Sequence, residues 1–392
     1  MMLPHVVIVG AGPAGLLLSI LLSQLGVRTT VIEKSSVADT WSTRSYSINI
    51  NQRGQSALAA ANVLEQAKAV AMTRTQFVFE SFDGQRQTIP KNPPDFAFAR
   101  PDLVECLEGC LEEQTELATV QRGAGVTNVE EKENEIEVTL DNGKKISCSH
   151  VVAADGKWSA VRNCIYKDAF VVQSVPAFAV FLKADRCPER WEREATSIFR
   201  PASPKYYAIA APLKDGTVSV TIVCYTEIKE DHPWLVPREE DAHVNWESEY
   251  ANCETTSDLE SKLTTLLEEE MPQFYKEIRG SVKNARINRR GSWLKPLTDD
   301  PSYCSRSGRV ALIGDAAHAM TASIGEGCNC ALESAASLVH SLRSKETPVT
   351  ADDLTQAFRD YGAQRPREVM PIQQRSAAAN HFKKPEAGTG VK

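Results

Sequence analysis

The sequence predicts an α/β protein: a parallel sheet flanked by helices, a second domain that is mainly antiparallel β, and a C-terminal helical segment. Three observations carry this reading. Short β-branched apolar runs begin at Val6, Val151 and Val310. Each ends in a turn built from Gly, Asp or both, and the first and last lead into helices. Tyr206 to Ala211 and Val218 to Cys224 read as a hairpin turning at Lys214-Asp215-Gly216. Asp353 to Tyr361 reads as a helix beyond both domains.

Composition narrows the classes. A chain of 392 residues exceeds one ordinary core, which points to two packed domains. With 42% hydrophobic and 24% charged residues it has the balance of a globular enzyme. The formal net charge of -7 argues against a broad nucleic-acid surface. The 10 cysteines form no CxxC pair, so no metal site is expected and free thiols in a reducing compartment are. The expected location is cytoplasmic or organelle-associated, since no basic leader precedes the first strand. No run reaches the roughly 18 apolar residues of a membrane span, which leaves only peripheral membrane contact open. The tail from His381 is polar and is expected to fray.

The first unit is explicit. Val6 to Val9 reads as a buried parallel strand. Gly10-Ala11-Gly12-Pro13-Ala14-Gly15 follows at once, Leu16 to Leu25 is an apolar helix, and Arg28 to Ile32 is a second strand closing on Glu33. Gly10 allows the tight turn, Gly12 admits a pyrophosphate against the backbone, and Gly15 lets helix and strand pack. Unpaired N–H groups and the positive dipole end of the helix face the phosphates. Glu33, 18 residues beyond Gly15, can accept hydrogen bonds from a ribose diol. Its charge disfavours a 2′-phosphate. Ala14 and Lys34 belong to the same Rossmann-like dinucleotide site. The motif alone does not choose between FAD and NAD.

Two further turns extend the pattern. The strand at Val151 ends in Asp155-Gly156. The strand at Val310 ends in Gly314-Asp315-Ala316-Ala317-His318, followed by Gly325-Glu326-Gly327-Cys328-Asn329 and a helix from about Ala331 to Leu342. An Asp at a strand's carboxyl end can hold a sugar hydroxyl, and Gly325 and Gly327 would let a flat ring approach the backbone. Asp155 alternatively caps the turn after its strand. His318, in a small-residue turn, fits a structural role better than acid–base work.

The GxGxxG, DG and GD trio, in this order and spacing, resembles the class A flavoprotein monooxygenases, the p-hydroxybenzoate hydroxylase family. Within it the kynurenine hydroxylases are the nearest likeness. Arg44 to Ile50 with Arg53-Gly54 and Ala57-Leu58 is similar to one of their segments, and Tyr207 to Leu213 with Asp215-Gly216 and Ser219-Val220-Thr221 to another. The resemblance implies an FAD-binding domain at 1–72, 101–168 and 290–345, a substrate domain at 73–100 and 169–289, and a C-terminal helical region and tail at 346–392. It implies FAD as cofactor, NADPH or NADH as transient reductant, and hydroxylation of a small aromatic or heteroaromatic substrate by O2 through a flavin C4a-hydroperoxide. Glu33 would bind the adenosine ribose, Arg44 and Arg100 would sit near ribityl and phosphate groups, and Asp315 would hold the ribityl–pyrophosphate region. Gly325, Gly327, Cys328 and Asn329 would lie along the ring, with Ala322, Gly325 and Asn329 positioning it. By residue type alone, Arg44 and Arg100 fit surface ion pairs as well. A flavin oxidase or dehydrogenase on the same fold, or a non-catalytic flavoprotein, are the rival readings.

The chain departs from the kynurenine hydroxylases in three places. Their carboxylate-holding Arg is unmatched in Gln76-Phe77-Val78-Phe79, and Lys91 stands about where their Tyr would be. Arg74 or Arg86 could substitute. Ala322 replaces a Pro, and Glu326 a Gln that could equally point to solvent. Kynurenine itself is therefore not the expected substrate. An apolar site from Phe77, Phe79 and Tyr207, with Lys91 as the available cation, is the simpler expectation. The same phenylalanines also fit plain core.

Overall fold

The structure, a computed structural model, describes residues 4–36, 47–114, 116–232, 256–287, 291–345 and 348–380. It divides into two units. The first comprises Met1–Ala71, Asp95–Gln173 and Ser292–Ala377, the second Met72–Pro94, Ser174–Gly291 and Ala378–Lys392.

In the first unit, β1 (His5–Val9) and β2 (Arg28–Glu33) flank α1 (Pro13–Gln24). Val6, Val7 and Ile8 are wholly buried, as a central parallel strand of continuous apolar residues must be. Together with β6 (Ala118–Arg122), β10 (His150–Ala153) and β18 (Val310–Leu312) they form one parallel sheet in the order β18-β10-β1-β2-β6. In chain order this is 3-2-1-4-5, a doubly wound sheet whose order reverses beside β1. Ligands of such sheets bind at the carboxyl ends of the strands at that reversal. Three residues distant in sequence therefore become neighbours at one edge, because Val9 pairs with Ala153 and Ala153 with Leu312.

Around this sheet lie α2 (Gln52–Ala60), α3 (Leu64–Val70), α4 (Arg100–Gln114), α5 (Ala160–Ile165), α8 (Asp315–His318), α9 (Gly327–Leu338) and α10 (Ala351–Ala378). The strands β7 (Val126–Glu131), β8 (Ile136–Leu140) and β9 (Lys145–Cys148) make an antiparallel meander. The strands β11 (Phe170–Ser174) and β17 (Ser292–Pro296) make a separate pair. The strand β3 (Ser47–Ile50) pairs antiparallel with the end of β5 (Arg86–Ala99).

Two elements differ from the sequence expectation. The helix expected from about Ala331 begins at Gly327, so Gly327, Cys328 and Asn329 are its first turn and not the preceding loop. The loop already ends at Gly325, whose left-handed backbone (φ 67°) closes the 3-10 turn Ala322–Ile324. The C-terminal helix runs far beyond Tyr361. Its Tyr361 hydroxyl donates to the Leu312 carbonyl (2.9 Å), and Arg365 donates to the Ser334 hydroxyl (3.0 Å) and the Cys330 carbonyl (3.1 Å). Buried contacts keep it helical past Pro366 and Pro371.

The second unit contains β4 (Met72–Ser81), the first part of β5, β12 (Ala177–Ala184), β13 (Ala195–Arg200), β14 (Tyr206–Pro212), β15 (Val218–Tyr225) and β16 (Arg286–Ile287), with α6 (Thr256–Glu270) and α7 (Pro272–Ile278). The sheet order is β16-β12-β15-β14-β13-β4-β5, with antiparallel pairs from β16 to β13 and a parallel β13–β4 pair. The hairpin β14–β15 forms where the sequence places it. Its two faces differ, although the apolar run reads as two-faced. Tyr206, Ala208, Val220 and Ile222 join one buried core with Leu263 and Phe274 of the helices. Tyr207, Ile209, Thr221, Val223 and Tyr225 alternate with them and are only half-buried. Among the described residues no helix is long and apolar enough to cross a membrane.

Candidate functional site

The site in the first unit is built at the carboxyl edge of β1, β10 and β18. Gly10 turns there with φ 107°, and its N–H donates to the Ile32 carbonyl (2.7 Å). A Cβ on Gly10 would collide with the Ala154 carbonyl, and one on Gly15 with the Gly10 carbonyl. Both glycines are therefore demanded by packing. Gly12 is different. It is the N-cap of α1 in extended backbone, and a Cβ there would meet only the Arg100 guanidinium, at 3.7 Å. No side chain caps α1. Its first amides, with the dipole end of a twelve-residue helix, are directed to an anion.

Arg100, first residue of α4, brings its guanidinium to this helix end. It lies near Glu33, Asp315 and the Cys328 thiol, and burial pulls its pKa down against the influence of all three. A fixed cation beside an uncapped helix N-terminus is an arrangement that a pyrophosphate completes. Glu33 accepts from the Ala11 N–H (2.9 Å) and the Ser35 N–H (2.9 Å), which locks the carboxylate at the end of β2 with lone pairs left for a diol. Ala14 sits 3.5 Å, and Ala331 3.2 Å, from where a Gly314 Cβ would stand, so α1, the turn after β18 and α9 pack here through small residues. Lys34 is exposed beside Gly125.

The two acidic turns have distinct environments. The Asp155 carboxylate accepts from the Ala160 N–H (2.8 Å) and the Val161 N–H (3.3 Å), capping α5, while its second oxygen is buried with no partner among the described residues. Asp315 is solvent-accessible, yet the density of protein around it pushes its carboxyl pKa up against the pull of Lys157 and Arg100. Asp315 thus stands at this edge within electrostatic reach of both cations. The half-buried Cys328, pushed up to about 12 by burial with Arg100 opposing, lies in the same surroundings. Arg162 ties the two turns together, donating to the Ala316 carbonyl (2.9 Å) and the Lys157 carbonyl (2.7 Å).

Asn329 is buried and fully engaged. Its amide donates to the Asn49 carbonyl (2.9 Å) and the Gly325 carbonyl (3.0 Å), and its oxygen accepts from the Asn51 N–H (2.9 Å). Glu326 does not simply point to solvent: it accepts from the Asn51 amide at 3.1 and 3.2 Å. Gly325 and Ala322 are exposed on the loop that this network holds, and Gly327 opens α9 with Met320 beside it. Arg44 lies outside the described residues. His318 is buried and bonded to the Ser334 hydroxyl (2.8 Å). Burial and Arg365 lower its pKa to about 3, so it stays neutral and structural.

In the second unit, Phe77, Phe79 and Tyr207 all lie on the half-buried face of the sheet, with the two phenylalanine rings 6.5 Å apart. Lys91 stands over the Phe77 ring at 4.8 Å. Neither proposed replacement for the missing arginine is on offer. Arg74 is buried, donating to the Arg193 carbonyl (2.7 Å) and the Pro212 carbonyl. Arg86 is paired with Glu80 (3.7 Å) and Glu192 (3.5 Å). Sequence reading missed Arg200, which lies over the Phe79 ring at 5.0 Å. Its only signal was its position at the end of a strand next to Phe199.

The chain matches known proteins along nearly all its length. The family model described as FAD binding domain matches residues 4–371. A kynurenine 3-monooxygenase of Stenotrophomonas maltophilia is 28% identical, covering 94% of this chain and 76% of that protein. The FAD-dependent monooxygenase ptmM of Penicillium ochrochloron is 25% identical, covering 91% and 83%. Klebsiella pneumoniae HpxO complexed with FAD and uric acid shares the fold with a TM-score of 0.77 at 20% identity, covering 96% and 88%. By the match over residues 4–371, the chain belongs to the FAD binding domain family, among the class A FAD-dependent monooxygenases.

Proposed function

We propose that this protein hydroxylates a small aromatic or heteroaromatic compound, using NAD(P)H and O2. The observation that carries the reading is the β1–β10–β18 edge, where the uncapped N-terminus of α1, Arg100 and Asp315 converge. Those groups suit an anionic, hydroxyl-rich dinucleotide better than any other cofactor. The α1 amides and Arg100 would hold the pyrophosphate, Glu33 the adenosine ribose, and Asp315 the ribityl region. Bound there, FAD supplies acceptance of a hydride from NAD(P)H and reaction with O2 to transfer one oxygen atom. The chain's own residues position and exclude. Asn329, through Asn49, Asn51 and Gly325, keeps the Ala322–Gly327 loop in one conformation for a flat ring to lie along. The half-buried face with Phe77, Phe79 and Tyr207 suits an aromatic substrate, and Lys91 adds positive charge beside it.

The names of the relatives support this reading: one acts on kynurenine, and HpxO was crystallised with uric acid. The test is chemical. Purified protein should be yellow, and acid should release FAD and not FMN. Incubation with NADPH and a panel of aromatic acids, indoles and phenols under 18O2 should yield a product carrying one labelled oxygen by mass spectrometry. Colourless protein that gains no absorbance on adding FAD, or NADPH oxidation that yields peroxide without oxygenated product from any panel member, would overturn it.

A further inference from the structure

The segment between α8 and α9, residues 319–326, is tied down from two sides. The Asn329 and Asn51 amides hold its Gly325–Glu326 end. Its first half is held by the last turns of α10, which belong to the same unit. Gln373 and Ser376, three residues apart on one helix face, are both buried. The Gln373 amide donates to the Ala319 carbonyl (3.0 Å) and to the Leu294 carbonyl (2.8 Å) of β17, and the Leu294 N–H donates to Ala319 as well (2.9 Å).

Ser376 makes the tighter connection. Its hydroxyl donates to the Thr321 carbonyl (2.8 Å) and lies 2.7 Å from the Thr321 hydroxyl. In return the Thr321 and Ser323 hydroxyls donate to the Ser376 carbonyl at 2.9 and 2.7 Å. That carbonyl is among the last four of α10, which a helix offers to partners outside its own ladder. Three hydroxyls and two carbonyls thus close a ring of bonds in which every hydroxyl proton has an acceptor.

This ring sits where it decides a conformation. Thr321 is buried, whereas Ala322 and Gly325 are exposed. Between them runs a single 3-10 turn, closed by the Gly325 N–H on the Ala322 carbonyl (3.2 Å). So short a turn has little hydrogen bonding of its own. Its direction is set by Thr321 and Ser323, the two residues bonded to α10. Buried hydroxyls and carbonyls are costly to leave unpaired, so the loop is held in the one geometry that pairs them all.

We propose that Ser376 is a positioning residue for the cofactor: through Thr321 and Ser323 it fixes the Ala322–Gly325 loop along which the flavin ring lies. The assignment rests on the reading of the first-unit site given above. Ser376 acts through the loop, and the α1 amides and Arg100 hold the pyrophosphate independently of it.

The test uses the full chain, flavin-free and loaded with FAD. Hydrogen exchange of the flavin-free protein, read by mass spectrometry over residues 319–326, should quicken about tenfold in Ser376→Ala, the factor implied by losing one or two buried hydrogen bonds. FAD should still bind within about threefold of the wild-type affinity. Its fluorescence should rise and its visible circular dichroism weaken, because the ring is less fixed. Ser376→Thr, which keeps the hydroxyl, should restore both signals. Thr355→Val removes the bond between the other end of α10 and His150 (3.0 Å) and controls for weakened helix docking. It should lower the thermal midpoint and leave loop exchange and flavin spectra as in wild type. If Ser376→Ala does not fold, Thr321→Val takes its place and should give the same changes. Unchanged exchange over 319–326, a faster-exchanging loop with unaltered flavin spectra, or the same spectral change in Thr355→Val would overturn the assignment. Failure of the oxygenase reading is separable: exchange and spectra would then respond to Ser376 with no oxygenated product formed.

Discussion

Gly12 and Gly15 stand three residues apart in the same motif, and the structure predicts opposite fates for their substitution. At Gly12 the backbone is extended (φ −78°, ψ 176°), which any residue adopts, and the space for a Cβ is bounded only by Arg100 at 3.7 Å. Gly12→Val should therefore leave the flavin-free fold within about 1 kcal/mol of wild type. Its branched side chain fills the space between the α1 amides and Arg100. A pyrophosphate excluded from it loses two or three charge-assisted hydrogen bonds, together roughly 4 kcal/mol or about a thousandfold in FAD affinity. At Gly15 the added Cβ would press on the Gly10 carbonyl oxygen, which belongs to the turn and cannot withdraw. Gly15→Ala should cost roughly 3 kcal/mol of stability even without flavin. Urea denaturation of the flavin-free proteins and fluorescence titration with FAD separate the two effects. Gly12→Val that retains stoichiometric FAD through gel filtration would refute the placement of the pyrophosphate. Gly15→Ala with unchanged stability would refute the packing argument.

Asp315→Ala removes one carboxylate from the edge beside Arg100, so FAD affinity should drop by about 1–3 kcal/mol while the flavin-free fold is no less stable; a fold that melts earlier would show Asp315 to be a structural acid. His318 and His150 are held neutral by burial, with pKa values lowered to about 3 and about 4. Both lie below the unfolded value, so the stability they contribute is present above pH 6.5 and is lost as pH falls, at about 1.4 kcal/mol per unit and per group. Asp155 and Asp315, pushed up by burial, act in the opposite sense, so the measurement is a difference: the loss of stability between pH 7 and pH 5 should be about 2 kcal/mol smaller in His318→Gln than in wild type, and an identical loss would refute it. Arg365→Met leaves Glu333, Glu368 and the Cys330 carbonyl without their shared donor and should lower stability by about 2–3 kcal/mol, read as an earlier thermal midpoint, with no change counting against a load-carrying role for α10.

The local geometry of the candidate cofactor site was legible in the sequence because it is set by neighbours along the chain. A strand, a turn without Cβ atoms, a helix and a carboxylate at the next strand end are all properties of neighbours along the chain, and Gly10, Gly12, Gly15 and Glu33 declare them. Asp155 and Asp315 could be marked as strand-end acids for the same reason. Their separate environments could not, since one caps α5 and the other meets Arg100 and Lys157 only after β10 and β18 dock beside β1. The Asn329–Asn51–Glu326 network links positions about 275 residues apart, and no spacing rule reaches that far. The substrate face shows the same division. Alternation placed Phe77 and Phe79 on one side of a strand. Whether that side met helices or stayed half-open depended on which face α6 and α7 cover. With no matched arginine in Gln76 to Phe79, the cations nearby in sequence are Arg74, Arg86 and Lys91. Burial removed Arg74, ion pairs removed Arg86, and strand register put Arg200 on the open face. Residue types and local order thus determined the strand, glycine turn, helix and strand-end carboxylate that mark the first turn as a candidate dinucleotide site. Which distant side chains share a recess or a sheet face was decided by strand pairing and helix docking, because burial and charge compensation are properties of the packed molecule.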